Sequence, residues 1–312
     1  MRWSSYRASE SGLRVAVVTD DGRLFGSRTH TDLVTLLCDG VDLAAAAEAI
    51  LADPLEVLRI DEATLTAPIP RPPSIRDFMA FEDHLKPILA ARGASIDPAW
   101  YEIPAFYFTN PAAAKGPFED VRAAPGAVEL DFELEVAAVI GRPGSDLDVD
   151  AAQHLIAGYI LMNDWSARDL QRRERGVGLG PAKGKDWATS FGPFFVTADE
   201  FPMVDGQARP DLPLRASVNG RPYSAGNLSE LYWTFGEMIA YASRGTELRP
   251  GDIIGSGTVG TGCIADLSAR HGLDSYPWLR PGDRVRLEAD RLGAIDCALL
   301  PAPPVVQLRP TR

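Results

Sequence analysis

Three carboxylates, Asp131, Glu133 and Glu135, recur at every second position of the stretch "VELDFELEVAAVIG", residues 128–141. A β-strand rises about 3.3 Å per residue and sends alternate side chains to one face, so Glu133 and Glu135 project side by side about 6.6 Å apart, within reach of a single ion. Two readings fit this alternation. The acids can face solvent, with Phe132, Leu134 and Val136 turned inward, or they can surround a cation that relieves their mutual repulsion. A second stretch, "GYILMNDWSARDLQ", bears on the choice. There an apolar run ends at Asn163-Asp164 and passes into a helical pattern in which Arg168 and Gln171 are i, i+3 neighbours facing the same way. An acid at the mouth of a strand beside an Arg/Gln face suits a site. Glu133, Glu135 and Asp164 together make an all-oxygen set that selects a hard cation, Mg²⁺ first and Ca²⁺ or Mn²⁺ as alternatives, over zinc.

Acid–base chemistry needs a further group, and "SIRDFMAFEDHLKP" offers one, with His84 seven positions after Asp77. His30 and His271 sit in polar, turn-like surroundings, and His154 lies on a predicted helix where a satisfied structural role suffices. His84 alone is embedded among acids and aromatics. Both a structural and a general-base role are open to it.

The elements that must position these groups are short and β-rich. Residues 13–28, "LRVAVVTDDGRLFGSR", predict two strands around an Asp21-Gly22 turn, and "DLVTLLCDGVDLAAAAEAIL" supplies helical spacing. "APIPRPPS" cannot continue a helix or a central strand, so a boundary is expected near Pro68. A small N-terminal α+β domain is therefore expected over 1–67 and a catalytic domain over 68–312. In the latter, "VELDFELEVAAVIG", "GYILMND", "FGPFFVT", "LRASVNG", "GDIIGSG" and "DRVRLEA" predict strands, and "DAAQHLIAGY" and the segment after Asn163 predict helices. The balance is α+β and β-dominated, without regular βαβ alternation. "GSGTVG" at 255–260 fits G-x-G-x-x-G, but "TGCIADLS" follows instead of a long helix, which argues against a dinucleotide site. Those glycines are expected to let backbone approach something closely.

A chain of 312 residues, 46% hydrophobic, buries a full core. Cys38, Cys263 and Cys297 form no C-x-x-C pair, so neither a disulfide framework nor a zinc site is expected. A formal charge of -12 and no basic stripe argue against a nucleic-acid partner. With no secretory leader at "MRWSSYRASE" and no run of about eighteen apolar residues, no membrane association is expected and the location is read as cytoplasmic.

The ordered motifs "RDFMAFEDH", "DFELEVAAVIG", "NDWSARDLQ", "GPAKGKDWATSFGP" and "GSGTVGTGC" closely resemble the fumarylacetoacetate hydrolase family, over roughly Ser74 to Asp296. The resemblance implies a mixed β-roll with peripheral helices, a small N-terminal domain and a homodimer. It implies that Glu133 and Glu135 are the E-x-E metal ligands, Asp164 the third acid and Asp77 a fourth ligand, with Asp131 flanking. It gives His84 the role of general base and Asp266 that of its carboxylate partner. Arg168, Gln171 and Lys185 then surround the substrate carbonyl, Gly257 and Thr258 close on the substrate, and Tyr107 matches a substrate-binding tyrosine or serves as core aromatic.

Departures from the family pattern matter too. Asp266 stands where a Glu is expected, one methylene shorter. Met79 replaces a substrate-facing Tyr and loses its hydrogen-bond donor, so a changed substrate is expected. Members that decarboxylate carry a Glu three residues after the catalytic His, where this chain has Pro87. The implied activity is metal-dependent hydrolysis of a carbon–carbon bond in a 1,3-diketone or acylpyruvate-type diketo acid. The cation serves as Lewis acid and Lys185, Arg168 and Gln171 as oxyanion donors. A lyase or isomerase acting on 2-oxo acids with the same scaffold and a non-catalytic binding protein are the rival classes.

Overall fold

Apolar runs interrupted by Gly and Pro leave room for strands more than for long helices. Strands accordingly dominate residues 1–8, 12–203 and 209–309, which the computed structural model describes. Twelve strands form one mixed sheet. At its centre Leu134–Ile140 pairs antiparallel with Ile156–Asp164, which pairs in turn with Thr189–Thr197. On its other side Leu134–Ile140 pairs with Ile253–Gly255, which runs parallel to Ile75–Phe78, and Phe106–Phe108 follows at the edge. A second sheet of five strands contains Pro213–Val218, Arg284–Ala289 and Gly293–Leu300. Among the described residues no helix is long and apolar enough to cross a membrane.

The period-2 alternation of Leu134–Ile140 sorts its side chains between two cores. Leu134, Val136, Ala138 and Ile140 pack with Leu214, Val285, Leu287 and Ile295 of the second sheet. Ala137 and Val139 pack on the opposite side with Leu33, Leu36 and Ile50 from the N-terminal helices. Burying each large aliphatic side chain contributes about 1.5–3 kcal/mol, so a strand covered on both faces is held firmly. Glu135 shares the face of Ala137 and Val139, and the strand tolerates it only at its end, where the core gives way to the site.

The boundary expected near Pro68 falls inside a shared sheet. Arg2–Ala8 pairs with Thr189–Thr197 and carries Gly12–Val18 and Arg23–Gly26 beyond it. Trp3, Val15 and Val17 share a core with Ile160, Phe191 and Phe195.

Three local expectations change. "DLVTLLCDGVDLAAAAEAIL" forms two helices, Leu33–Cys38 and Leu43–Ala52, each N-capped by an aspartate, Asp32 or Asp42, because Gly40 at φ +64° turns the chain between them. The helix expected over "DAAQHLIAGY" is confined to Val149–Gln153, and Ile156 already begins a strand. Gly158 lies so close to the neighbouring strand that a Cβ there would stand 2.2 Å from the Val196 carbonyl oxygen; sheet pairing overrides helical propensity. The single strand expected at 128–141 is two, Leu130–Asp131 and Leu134–Ile140, which pair with different partners, Ser166–Ala167 and Ile156–Asp164.

Candidate active site

The break between those two strands builds the site. At Glu133 the backbone N–H donates to the Asn163 side-chain oxygen at 3.0 Å instead of continuing the ladder, and the residue turns toward the end of Ile156–Asp164. Sheet register supplies the other acids. Leu134 lies opposite Asn163, Gly255 opposite Asp77, and Asp77 opposite Tyr107. A Cβ at Gly255 would come within 2.3 Å of Asp77 Oδ1, so the missing side chain is what admits this carboxylate. Asp77, Glu133, Glu135 and Asp164 are all buried, and one oxygen from each lies within 4.8 Å of the others. The solvent-facing reading of Glu133 and Glu135 is therefore excluded.

Asp77 Oδ1, Glu135 Oε2 and Asp164 Oδ1 are buried without a hydrogen-bond partner among the described residues. Burial and then the neighbouring acids push the Asp77 and Glu135 carboxyls well above the usual carboxylate range, and burial raises Asp164 too. Glu133 differs: burial opposes its charge, but Lys185 and Arg168 outweigh it and hold the carboxyl below its ordinary value. Lys185 and Arg168 leave three buried oxygens orphaned and the acids still repelling one another, and the donor set fits a hard divalent cation.

Lys185 is 4% exposed, donates to both Glu133 and Asp164, and lies 5.8 Å from the centre of the Tyr107 ring. The Gly-rich segment brings it there, since a Cβ at Gly184 would meet Gln171 Cγ at 2.6 Å. The Tyr107 hydroxyl donates to Asp164, and the Thr258 hydroxyl donates to Glu135 at 3.2 Å. Gly257, at φ +75°, packs against the Phe78 carbonyl where no side chain fits. Arg168 is committed to its own neighbours: Nε donates to Asp131 at 2.8 Å, Nη2 to Glu133 at 2.7 Å and Nη1 to the Gln171 side-chain oxygen at 3.3 Å.

His84 is buried on the helix Glu82–Ala90, and its Nδ1 stands 3.8 Å from Asp266 Oδ2. That contact is longer than a hydrogen bond. Burial works to raise the Asp266 carboxyl, but His84 and Arg270 outweigh it and hold it below its usual value. Cys263 Sγ lies 3.9 Å from the same ring nitrogen. His84, Asp77, Glu133 and Glu135 border one cavity of about 550 Å³, with Met79, Leu85, Ile88 and Trp100 on its apolar side and Arg92 and Arg175 among its cationic groups.

Residues 74–299 match the family described as fumarylacetoacetate (FAA) hydrolase, C-terminal. The chain belongs to the fumarylacetoacetate hydrolase family. It is 34% identical over 243 residues to the fumarylacetoacetase of Arabidopsis thaliana, a match covering 62% of this chain and 57% of that protein. It is 30% identical over 274 residues to a human mitochondrial oxaloacetate tautomerase, covering 84% and 78%. The chain thus spans less than two thirds of the plant fumarylacetoacetases it matches. In fold it is similar to the maleylpyruvate hydrolase of Sphingobium sp. SYK-6, solved with manganese (II) ion and pyruvate: TM-score 0.70, 23% identity, 97% of this chain and 100% of the other.

For this family member, sequence reasoning gave no site role to three residues that the structure sets against the site. Asp131 accepts the N–H groups of Ile264 and Ala265 at 2.7 and 3.0 Å besides pairing with Arg168, so it locks the start of the helix Ile264–His271 to the acid cluster. Arg270 pairs with Asp266; their i, i+4 spacing on a helix was the available signal. Cys263 gave none, because its approach to His84 spans 179 positions of sequence.

Proposed function

We propose that this chain is a divalent-cation-dependent hydrolase cleaving a carbon–carbon bond of a 1,3-diketone of the acylpyruvate type, a fumarylacetoacetase-like reaction. One observation carries the reading: four buried carboxylates cluster together, three of them with an orphaned oxygen, and His84, beside Asp266, borders the same cavity as Asp77, Glu133 and Glu135. Asp77, Glu133, Glu135 and Asp164 would hold the cation, for which the all-oxygen set favours Mg²⁺. When bound, a divalent cation polarises chelated oxygens and neutralises developing charge. The manganese and pyruvate of the Sphingobium structure support a cation and a 2-oxo acid in such a fold.

The chain's own groups do the proton and charge handling. His84 takes a proton from water as the water oxygen bonds to a carbonyl carbon, and Asp266 offsets the charge gained by the ring. The Lys185 ammonium donates to the oxygen that becomes negative. Arg168 acts at one remove, setting Glu133 and the Gln171 amide, while Tyr107 and Thr258 orient Asp164 and Glu135 and Gly257 lets the loop close on the substrate. When the carbon–carbon bond breaks, its electron pair enters the adjacent carbonyl as an enolate. A proton then passes from His84 to carbon, and the products are a carboxylate and a ketone or 2-oxo acid.

The test is a mass-spectrometric screen of acylpyruvates, fumarylacetoacetate and oxaloacetate with Mg²⁺ or EDTA. Two carboxylate or ketone fragments formed only with Mg²⁺ are expected. Oxaloacetate decarboxylation or tautomerisation faster than any diketone cleavage overturns the reading in favour of a second, an isomerase or lyase acting on 2-oxo acids, which the extent of the match to the human tautomerase favours. A cytoplasmic homodimer is part of the same proposal, to be tested by sedimentation and cell fractionation.

A further inference from the structure

We propose that Arg270 is a positioning residue of this site: it takes the carbonyl that Pro87 leaves without a donor and, with the same guanidinium, anchors Asp266 beside His84. The catalytic consequence rests on the reading of His84 as the base. Pro87 lies inside the helix Glu82–Ala90. In an α-helix the N–H of residue 87 would donate to the carbonyl of residue 83, but proline has no N–H and its ring crowds that carbonyl. The Asp83 carbonyl, one residue before His84, therefore needs a donor from outside the helix. Arg270 Nη2 donates to it at 2.7 Å and to Asp83 Oδ2 at 3.0 Å.

The other end of the guanidinium reaches the carboxylate. Arg270 Nε donates to Asp266 Oδ1 at 2.5 Å, while Asp266 Oδ2 accepts the Thr261 N–H at 2.7 Å and faces His84. Thr261 holds φ +64°, a conformation rare for a β-branched residue, and in it the N–H points at Asp266. Because the aspartate leaves a 3.8 Å gap to the imidazole, no hydrogen bond from His84 orients it. Its placement comes from Thr261 and Arg270. The planar fork of arginine joins two acceptors on two helices, which the single ammonium of lysine cannot do. The turn bearing His84 and the turn bearing Asp266 are thereby tied through one side chain.

The experiment compares Arg270→Met, Arg270→Lys, Pro87→Ala and the Arg270→Met/Pro87→Ala pair in the full chain. Diketone cleavage gives kcat and KM, calorimetry gives Mg²⁺ affinity, and thermal unfolding in EDTA gives a double-mutant cycle. Arg270→Met should lower kcat about tenfold to a hundredfold through misplacement of the His84–Asp266 pair, with KM and Mg²⁺ affinity changed less than about threefold. Arg270→Lys should restore part of kcat. The unfolding midpoint lost in Arg270→Met should be smaller when Pro87→Ala returns an N–H to the Asp83 carbonyl. Unchanged kcat in Arg270→Met, a loss confined to KM or metal affinity, or strictly additive midpoints overturns the proposal. Should the wild-type protein cleave no diketone, the proposed reaction fails, while the stability cycle still decides the link between Arg270 and Pro87.

Discussion

Lys185→Met removes the only cation that touches two of the four clustered acids among the described residues, in a side chain of similar length. Burial works against the lysine charge, yet Asp164 and Glu133 hold its pKa above the ordinary value, so the folded chain keeps it protonated. Deleting one partner of a buried ion pair typically costs about 3–5 kcal/mol, because the remaining charges stay buried without compensation. For a chain of this size about 2–4 °C accompanies each kcal/mol, so the metal-free variant should unfold roughly 6–20 °C below wild type. Added Mg²⁺ should narrow that gap: without the ammonium, Glu133 and Asp164 attract a cation more strongly, and the Mg²⁺-induced rise in midpoint should exceed that of wild type. Turnover should not follow stability back, since the donor to the developing oxyanion is gone and kcat should stay about a hundredfold low. Differential scanning fluorimetry in EDTA and in a Mg²⁺ series, beside diketone kinetics, reads all three quantities. A metal-free midpoint within about 2 °C of wild type, or a smaller Mg²⁺ response, would refute the reasoning.

Glu135→Gln should weaken Mg²⁺ binding by at least about tenfold through loss of a charged ligand, while the amide oxygen can still accept from Thr258 and the fold survives; unchanged affinity by calorimetry removes Glu135 from the cation site. Asp266→Asn should abolish most hydrolysis and leave Mg²⁺ affinity intact, because it disturbs His84 and not the acid cluster; a fully active variant ends the pairing argument. Asp77 and Glu135 have raised pKa values in the folded chain, so they bind protons that the unfolded chain has released. Their contribution is complete below the unfolded carboxylate pKa of about 4 and is lost as pH climbs toward the folded values. The metal-free midpoint should therefore fall as pH rises above about 4, and saturating Mg²⁺ should remove most of the fall; a midpoint flat or rising with pH in EDTA contradicts it.

Much of the site was legible because its residue types are confined to a few short stretches. Spacing marked the acids at 133 and 135 as a candidate pair while leaving a solvent-facing reading open, and the order of motifs identified the family. What spacing misjudged was local continuity. The run 128–141 looked like one strand, whereas Asn163 draws the Glu133 N–H out of the ladder. Arg168, expected at the substrate, borders the cavity and also donates to Asp131, Glu133 and Gln171, contacts that spacing did not show. Pro87 was read as the absence of an acid, and only the structure showed what replaces its missing N–H.

By itself the amino-acid sequence determined the strand-dominated class, the all-oxygen character of the acid set and the placement of turns at Gly and Pro. These follow from side-chain chemistry and from backbone preferences that act within a few residues. The tertiary structure decided which acids share one small volume, that Lys185 lies between two of them, and that Asp266 leans on Arg270. Each of these depends on register between strands or on packing between helices far apart in the chain. Such contacts are selected by the burial of a whole core, a collective quantity that no local window of sequence contains.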